Sequence, residues 1–190
     1  MRGALARFAA ARGGASAVEF AFIAPLLLGL FMGAVEIPRA IATGDRLALA
    51  AGTLADLIAR DDSSALPDIF ASAQTVAAPY SLDGAGIVLT AAGVYQDGDA
   101  FVAKVCSSVQ QNDEARAAGS TIGPAPAGMT TNGARFVMAE VRMRYHAIFS
   151  MIPVLNSWSF AYKTVWPIRE GKTYNGQAEV VLPGGKPCPR

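Results

Sequence analysis

From Phe20 to Val35 the chain carries no charge. As a helix at 1.5 Å per residue this block spans about 24 Å, short of the ~30 Å hydrocarbon core of a bilayer. The span becomes long enough when it starts near Ala15, which places Glu19 at the bilayer edge. A carboxylate there costs a few kcal/mol unless it finds a partner or is neutral. Glu19 is therefore either a functional carboxylate or one that snorkels to the interface. Arg2, Arg7 and Arg12 precede the block with no acid among them, and such flanks stay on the cytoplasmic side; Arg39 and Arg46 on the far side make the bias modest. A secretory signal peptide competes for this region, but Pro25 interrupts its core and no good small-x-small cleavage site follows. The pattern predicts a retained membrane helix over residues 15–40.

Beyond the span the period of a helix continues. Leu47, Ala50, Ala51, Leu54, Leu57 and Ile58 recur at three- and four-residue steps and make one apolar stripe over Ile41–Arg60. Gly44 and Gly52 weaken it, and Asp61-Asp62-Ser63-Ser64 ends it. A second helix is predicted over Pro67–Ala78, with Pro67 in its first turn and Pro79 as its stop. The period then changes to two. Gly86–Gln96 and Ala100–Ser107 read as a hairpin turned by Asp97-Gly98-Asp99. Residues 108–133, rich in Gly, Pro, Ala and Thr, read as a long mobile loop.

Arg135–His146 alternates most cleanly, with Val137, Ala139, Val141, Met143 and Tyr145 on one face. Glu140, Arg142 and Arg144 on the other face point to a solvated surface with cross-strand ion pairs, or to a docking surface. Ser150–Leu155 reads as a turn or short helix and Ser159–Trp166 as the last strand. The tail from Glu170 ends in Pro-Gly-Gly-Lys-Pro-Cys-Pro-Arg and is expected to be irregular. The fold class is α+β, a long N-terminal helix packed on an antiparallel sheet of about four strands. The expected domains are a leader at 1–14, the span at 15–40, an α+β domain at 41–169 and the tail at 170–190.

Composition sharpens this picture by exclusion. Charged residues make up 16% of the 190 residues and apolar ones 52%, against about a quarter charged in a typical soluble domain. The net charge of +1 and the lack of basic clusters argue against nucleic-acid binding. One histidine, His146, and two separated cysteines make no metal-site spacing. No nucleophile elbow, phosphate loop or dinucleotide fingerprint is present, so neither catalysis nor a cofactor is expected. If the domain is exported, Cys106 and Cys188 can form a disulfide, which by chain entropy contributes about 4–5 kcal/mol; otherwise they are two unpaired thiols, one on a strand and one in the tail.

The stretch Arg12-Gly13-Gly14-Ala15-Ser16-Ala17-Val18-Glu19-Phe20 resembles a type IV prepilin cleavage and assembly motif. Extended through Ala21-Phe22-Ile23-Ala24-Pro25 and the leucines after it, the segment is most similar to the TadE/TadG-like family of tight-adherence (Flp) pilus assembly proteins. Glu36-Ile37-Pro38-Arg39 sits where that family tends to carry Glu-x-x-Arg, and Val141–Tyr145 and Trp166–Arg169 are looser matches. The resemblance implies a minor pseudopilin of the bacterial inner membrane, its bulk periplasmic, cut by a prepilin peptidase between Gly14 and Ala15. Glu19 then becomes the fifth residue of the mature chain, able to pair with the freed amine of Ala15 or with one on a neighbouring subunit.

Its partners would be other pilin and pseudopilin subunits, the assembly machinery and membrane lipid, with Glu19, Phe20, Pro25, Gly29 and Gly33 on the assembly helix. Pro25 bends that helix by removing a donor. Gly29 and Gly33, spaced G-x-x-x-G, either permit close helix approach or are small residues tolerated in a lipid-facing helix. A membrane-tethered periplasmic binding or adhesive module is the alternative; it keeps its leader, leaves Glu19 inert and places a ligand pocket near the 108–133 loop.

Overall fold

The computed structural model describes residues 14–60, 66–149 and 157–190. The leader before Gly14, the Asp61–Ser64 helix stop and the Ser150–Leu155 turn lie outside the described residues. Helix α1 runs unbroken from Gly14 to Ile58, 45 residues, or about 68 Å at helical rise. It passes through Pro25 and Pro38. Each proline removes one backbone donor, and the Ala- and Leu-rich turns around them favour helix strongly enough to carry the chain through. The C-terminal end is closed from outside: the amides of Arg169 and Glu170 both donate to the Ala59 carbonyl, at 2.9 and 3.0 Å, satisfying an acceptor that a helix end leaves open. Helix α2, Leu66–Ala77, buries Ile69, Ala73 and Ala77, and the cis peptide Ala78–Pro79 follows it.

The strands are β1 (Gly86–Asp97), β2 (Ala100–Gln111), β3 (Thr121–Pro124), β4 (Arg135–Arg144) and β5 (Ser159–Pro167), in one antiparallel sheet of order β3-β2-β1-β4-β5. This is α+β as expected, with five strands rather than about four. The additional strand, β3, lies inside the stretch predicted to be a mobile loop.

One face of the sheet takes the helices. Leu47, Ala51, Leu54 and Ile58 of α1 pack on Leu89, Val137, Ala139 and Val141. Gly44 lets the helix approach β5 closely, because a Cβ there would stand 2.8 Å from the Tyr162 hydroxyl and 3.4 Å from the Phe160 ring. That glycine weakens the helix in sequence terms, but in the fold it is a packing residue. Gly52 has nothing within 4 Å of its Cβ position and carries only the cost.

The opposite face of the sheet is also covered, which alternation on β4 does not reveal. Phe136 and Met138 join Ala92, Val94 and Ala103 in a second core, roofed by Ile122, Ala125 and Met129 from the 108–133 stretch. That stretch supplies ion-pair partners as well. Arg116 grips Glu140 through two hydrogen bonds of 2.7 and 2.8 Å, and Arg142 meets Asp113 at 3.5 Å. The charged face of β4 is thus paired mainly from the loop, while Lys163, opposite Glu140 on β5, adds a cross-strand attraction.

The tail is likewise structured. Strands β6 (Lys172–Tyr174) and β7 (Gln177–Glu179) form a hairpin around Asn175-Gly176, both at positive φ (51° and 82°), the backbone that a two-residue primed turn demands. Val180 and Leu182 then enter the main core. The register of β1 and β2 skips Cys106, pairing Ala91 with Ser107 and Ala92 with Val105. Such a bulge re-aims a side chain, and Cys106 is bonded to Cys188 with 4.7 Å between their Cα atoms. Beside it Arg135 and Glu179 form an ion pair of 3.0 Å with side chains 4% and 1% exposed. The Glu179 carboxylate also accepts the Cys188 amide at 2.8 Å.

Candidate functional site

Helix α1 has two halves of opposite character. From Leu47 onward its apolar stripe is buried in the core. Before that, twelve large apolar side chains between Val18 and Ile41 are exposed, among them Phe20 at 65%, Phe22 at 80% and Leu26 at 66%. Burying such a side chain contributes about 1.5–3 kcal/mol, so covering all of them is worth on the order of 20–30 kcal/mol. That exceeds the ~5–15 kcal/mol of a whole domain's stability. The helix is long and apolar enough to cross a membrane: its most apolar window has a mean hydropathy of 2.1 and is 6% buried.

The residues singled out for assembly all lie on this half. Glu19, Phe20, Pro25 and Gly29 are exposed and Gly33 is half-buried. A Cβ at Gly29 or Gly33 would meet nothing within 4 Å among the described residues, so neither glycine is there to fit a described neighbour. Gly14 and Ala15 are the first two described residues and both are helical; the expected cleavage position lies on the described helix. Cys106 and Cys188 belong elsewhere, at the end of the sheet that holds the tail.

The two halves meet at Glu36. Its carboxylate is fully buried and accepts the Tyr145 hydroxyl at 2.6 Å and the Ile148 amide at 3.0 Å, both on Oε1. Contact with the domain is therefore already made at Glu36, through the segment that follows β4 and a turn before the expected boundary at residue 40. Burial, reinforced by the Glu36 carboxylate, pushes the Tyr145 phenol up to about 12, so it stays a hydrogen-bond donor at every physiological pH. Tyr145 meets Phe160 edge-on at 6.0 Å, and Phe160 stacks on Tyr162, the two rings that fill the space beside Gly44.

Arg39, one turn along, has its guanidinium 5.8 Å from the centre of the Tyr80 ring. Its Nε is buried without a hydrogen-bond partner among the described residues. Sequence reasoning reached Glu36 and Arg39 only through a family pattern and missed Tyr145 as a partner. The available signal was a tyrosine on the apolar face of β4, since a buried phenol needs an acceptor.

A family model described as TadE-like protein matches residues 14–56. The match covers almost the whole of α1 and none of the sheet. No curated protein and no solved structure matches the chain at a significant level. The matched segment holds the exposed apolar half, Glu19, the Glu36–Arg39 junction and most of the core stripe, and it is over this segment that the chain is similar to TadE-like proteins.

Proposed function

We propose that the protein is a minor pseudopilin, a membrane-anchored assembly subunit of a tight-adherence (Flp) pilus system. The observation that carries this reading is the division of α1: one half is locked into a domain and the other offers an uninterrupted apolar surface to lipid or to neighbouring helices. In this reading the helix crosses the bacterial inner membrane once, with its N-terminus cytoplasmic and the sheet domain in the periplasm. A prepilin peptidase cuts between Gly14 and Ala15.

The freed amine of Ala15, with an ordinary pKa near 7.7–8, is largely protonated at neutral pH. Glu19 lies one helical turn on and can neutralise that amine or one on an adjacent subunit, which sets the axial register between helices. Gly29 and Gly33 allow those helices to approach. The domain carries no chemistry of its own in this reading and acts through contacts with other pilin subunits and the assembly machinery.

Sequencing the N-terminus of protein recovered from membranes that contain the peptidase tests the reading, with Ala15 as the expected first residue. Cysteines placed at Phe22 and Leu26 should then crosslink to a helix of another subunit, and Glu19→Ala should abolish those crosslinks. An uncut chain without crosslinks points to the second reading, a tethered binding module. That reading draws on a cleft of about 610 Å³ between α2 and the open end of the β1–β2 hairpin, lined by Phe70, Gln74, Leu82 and Gln111.

A further inference from the structure

A smaller cavity, about 360 Å³, opens where α1 meets the domain, with Arg39, Tyr80, Asp83, Tyr145 and His146 in its wall. Arg39 belongs to none of the ion pairs among the described residues. The nearby Glu36 carboxylate takes Tyr145 and Ile148 on Oε1 and leaves its buried Oε2 without a partner among the described residues, so its charge attracts Arg39 without an ion-pair contact. A guanidinium with a buried, unpartnered Nε beside a cavity is a group suited to an anion, and it offers paired donors that match phosphate oxygens. The facing wall is held in place: the Gln74 side chain accepts the Leu82 amide at 2.8 Å and donates to the Tyr80 carbonyl at 3.1 Å.

Position selects among phosphates. Arg39 stands twenty residues after Glu19, about 30 Å along the helix, which equals the thickness of a bilayer's hydrocarbon core. With Glu19 at one interface, Arg39 reaches the headgroups of the other. The side chains at that level fit an interface: Ile37 and Ile41 are exposed on the helix. Ile148, tied to Glu36 through its amide, and Trp158, whose carbonyl accepts the Tyr145 amide, are exposed at 52% and 37%. The cavity also holds an acid, Asp83, which a bare phosphate would avoid and a headgroup bearing an ammonium would not.

We propose that this cavity binds the headgroup of a phosphoethanolamine lipid in the outer leaflet, its phosphate on Arg39 and its ammonium on Asp83. His146, in the same wall, adds a second donor to the phosphate. The lipid would fix the depth and tilt of the helix relative to the domain. The inference rests on the membrane-spanning reading above.

The test uses the full chain in nanodiscs of equimolar phosphatidylethanolamine, phosphatidylcholine and phosphatidylglycerol, with retained lipids identified by native mass spectrometry. The wild-type chain should keep one phosphatidylethanolamine in preference to the other two. Arg39→Gln should lower its retention about tenfold, the effect of losing one charge-assisted hydrogen-bonded pair, while Arg46→Gln, an exposed arginine, leaves it unchanged. Asp83→Asn should keep phospholipid binding but lose the preference for ethanolamine. Equal retention in Arg39→Gln and wild type, or no headgroup preference in the wild type, overturns the proposal.

In detergent, glycerophosphoethanolamine or inorganic phosphate binding as tightly as lipid would mark a site for a soluble anion and also overturn it. Vesicle flotation separates the two levels. A chain that does not float defeats the spanning reading and this proposal together; one that floats without headgroup selection defeats this proposal alone.

Discussion

Two buried carboxylates and two helix glycines carry consequences out of proportion to their visibility in the sequence. Glu36 is buried with two donors on one oxygen. Tyr145→Phe removes one of them and should destabilise the domain by about 1–3 kcal/mol, the cost of leaving a buried polar group short of a partner. Thermal unfolding of the full chain in detergent would measure it. Glu179 neutralises a guanidinium that is itself buried against Tyr95, 5.4 Å from the ring centre, and against Gly93, where any Cβ would collide with the Arg135 side chain. Glu179→Ala strands that charge and should cost about 3–5 kcal/mol. The glycines of α1 make an opposed pair. Gly52→Ala, with open space around it among the described residues, should raise stability by about 0.5–1 kcal/mol, whereas Gly44→Ala must displace the Tyr162 hydroxyl and should raise the thermal midpoint less than Gly52→Ala does.

At the scale of elements, the tail is the one whose role most exceeds its sequence. The β6–β7 hairpin, the core residues Val180 and Leu182 and the Cys106–Cys188 bond tie the last residues to the sheet. Cys188→Ser should therefore cost about 2–5 kcal/mol, as expected for loss of a bond closing a long loop, and should expose the tail to proteolysis. Reduced and oxidised protein compared by denaturant titration would show the same difference. The hairpin was legible: Tyr174-Asn175-Gly176-Gln177 contains a strong two-residue turn signal. It was masked by the prolines and glycines after it, which speak only for residues 183–190. The 108–133 stretch differs in kind. Its glycines and prolines do describe an irregular path, and the error lay in equating irregular with mobile, since Ile122, Ala125 and Met129 are anchored on a sheet face that local patterning had left to solvent.

For the whole molecule, the two titrations bracket the pH range of stability. The Arg116 guanidinium, through its hydrogen bonds to the carboxylate, holds Glu140 below the usual carboxylate range despite burial. A depressed folded-state pKa adds stability that is complete above the unfolded value, about 4.3, and is lost as pH falls through the folded one. Tyr145 has the opposite sign: raised to about 12, it contributes stability present below about 10 and lost as pH climbs towards 12. Unfolding midpoints recorded from pH 2 to 12 should fall at both ends. Glu140→Gln should flatten the acid limb and leave the alkaline one intact, whereas Tyr145→Phe should reduce the alkaline limb, to which Tyr95, also raised by burial, contributes.

What the sequence determined by itself is local and one-dimensional. An uncharged run followed by an apolar stripe makes a long helix of two characters whatever lies beside it, because backbone bonds within a helix reach only four residues. Period-two runs likewise make strands, and a bulky apolar surface must find cover. Tertiary structure alone decided which distant groups meet: Tyr145 with Glu36 across 109 positions, Arg135 with Glu179 across 44, and a roof of loop residues on the second face of the sheet. Burial makes each such pair obligatory, since a charge taken out of water has to find its complement. Nothing in the spacing of the two residues along the chain says which complement it will be.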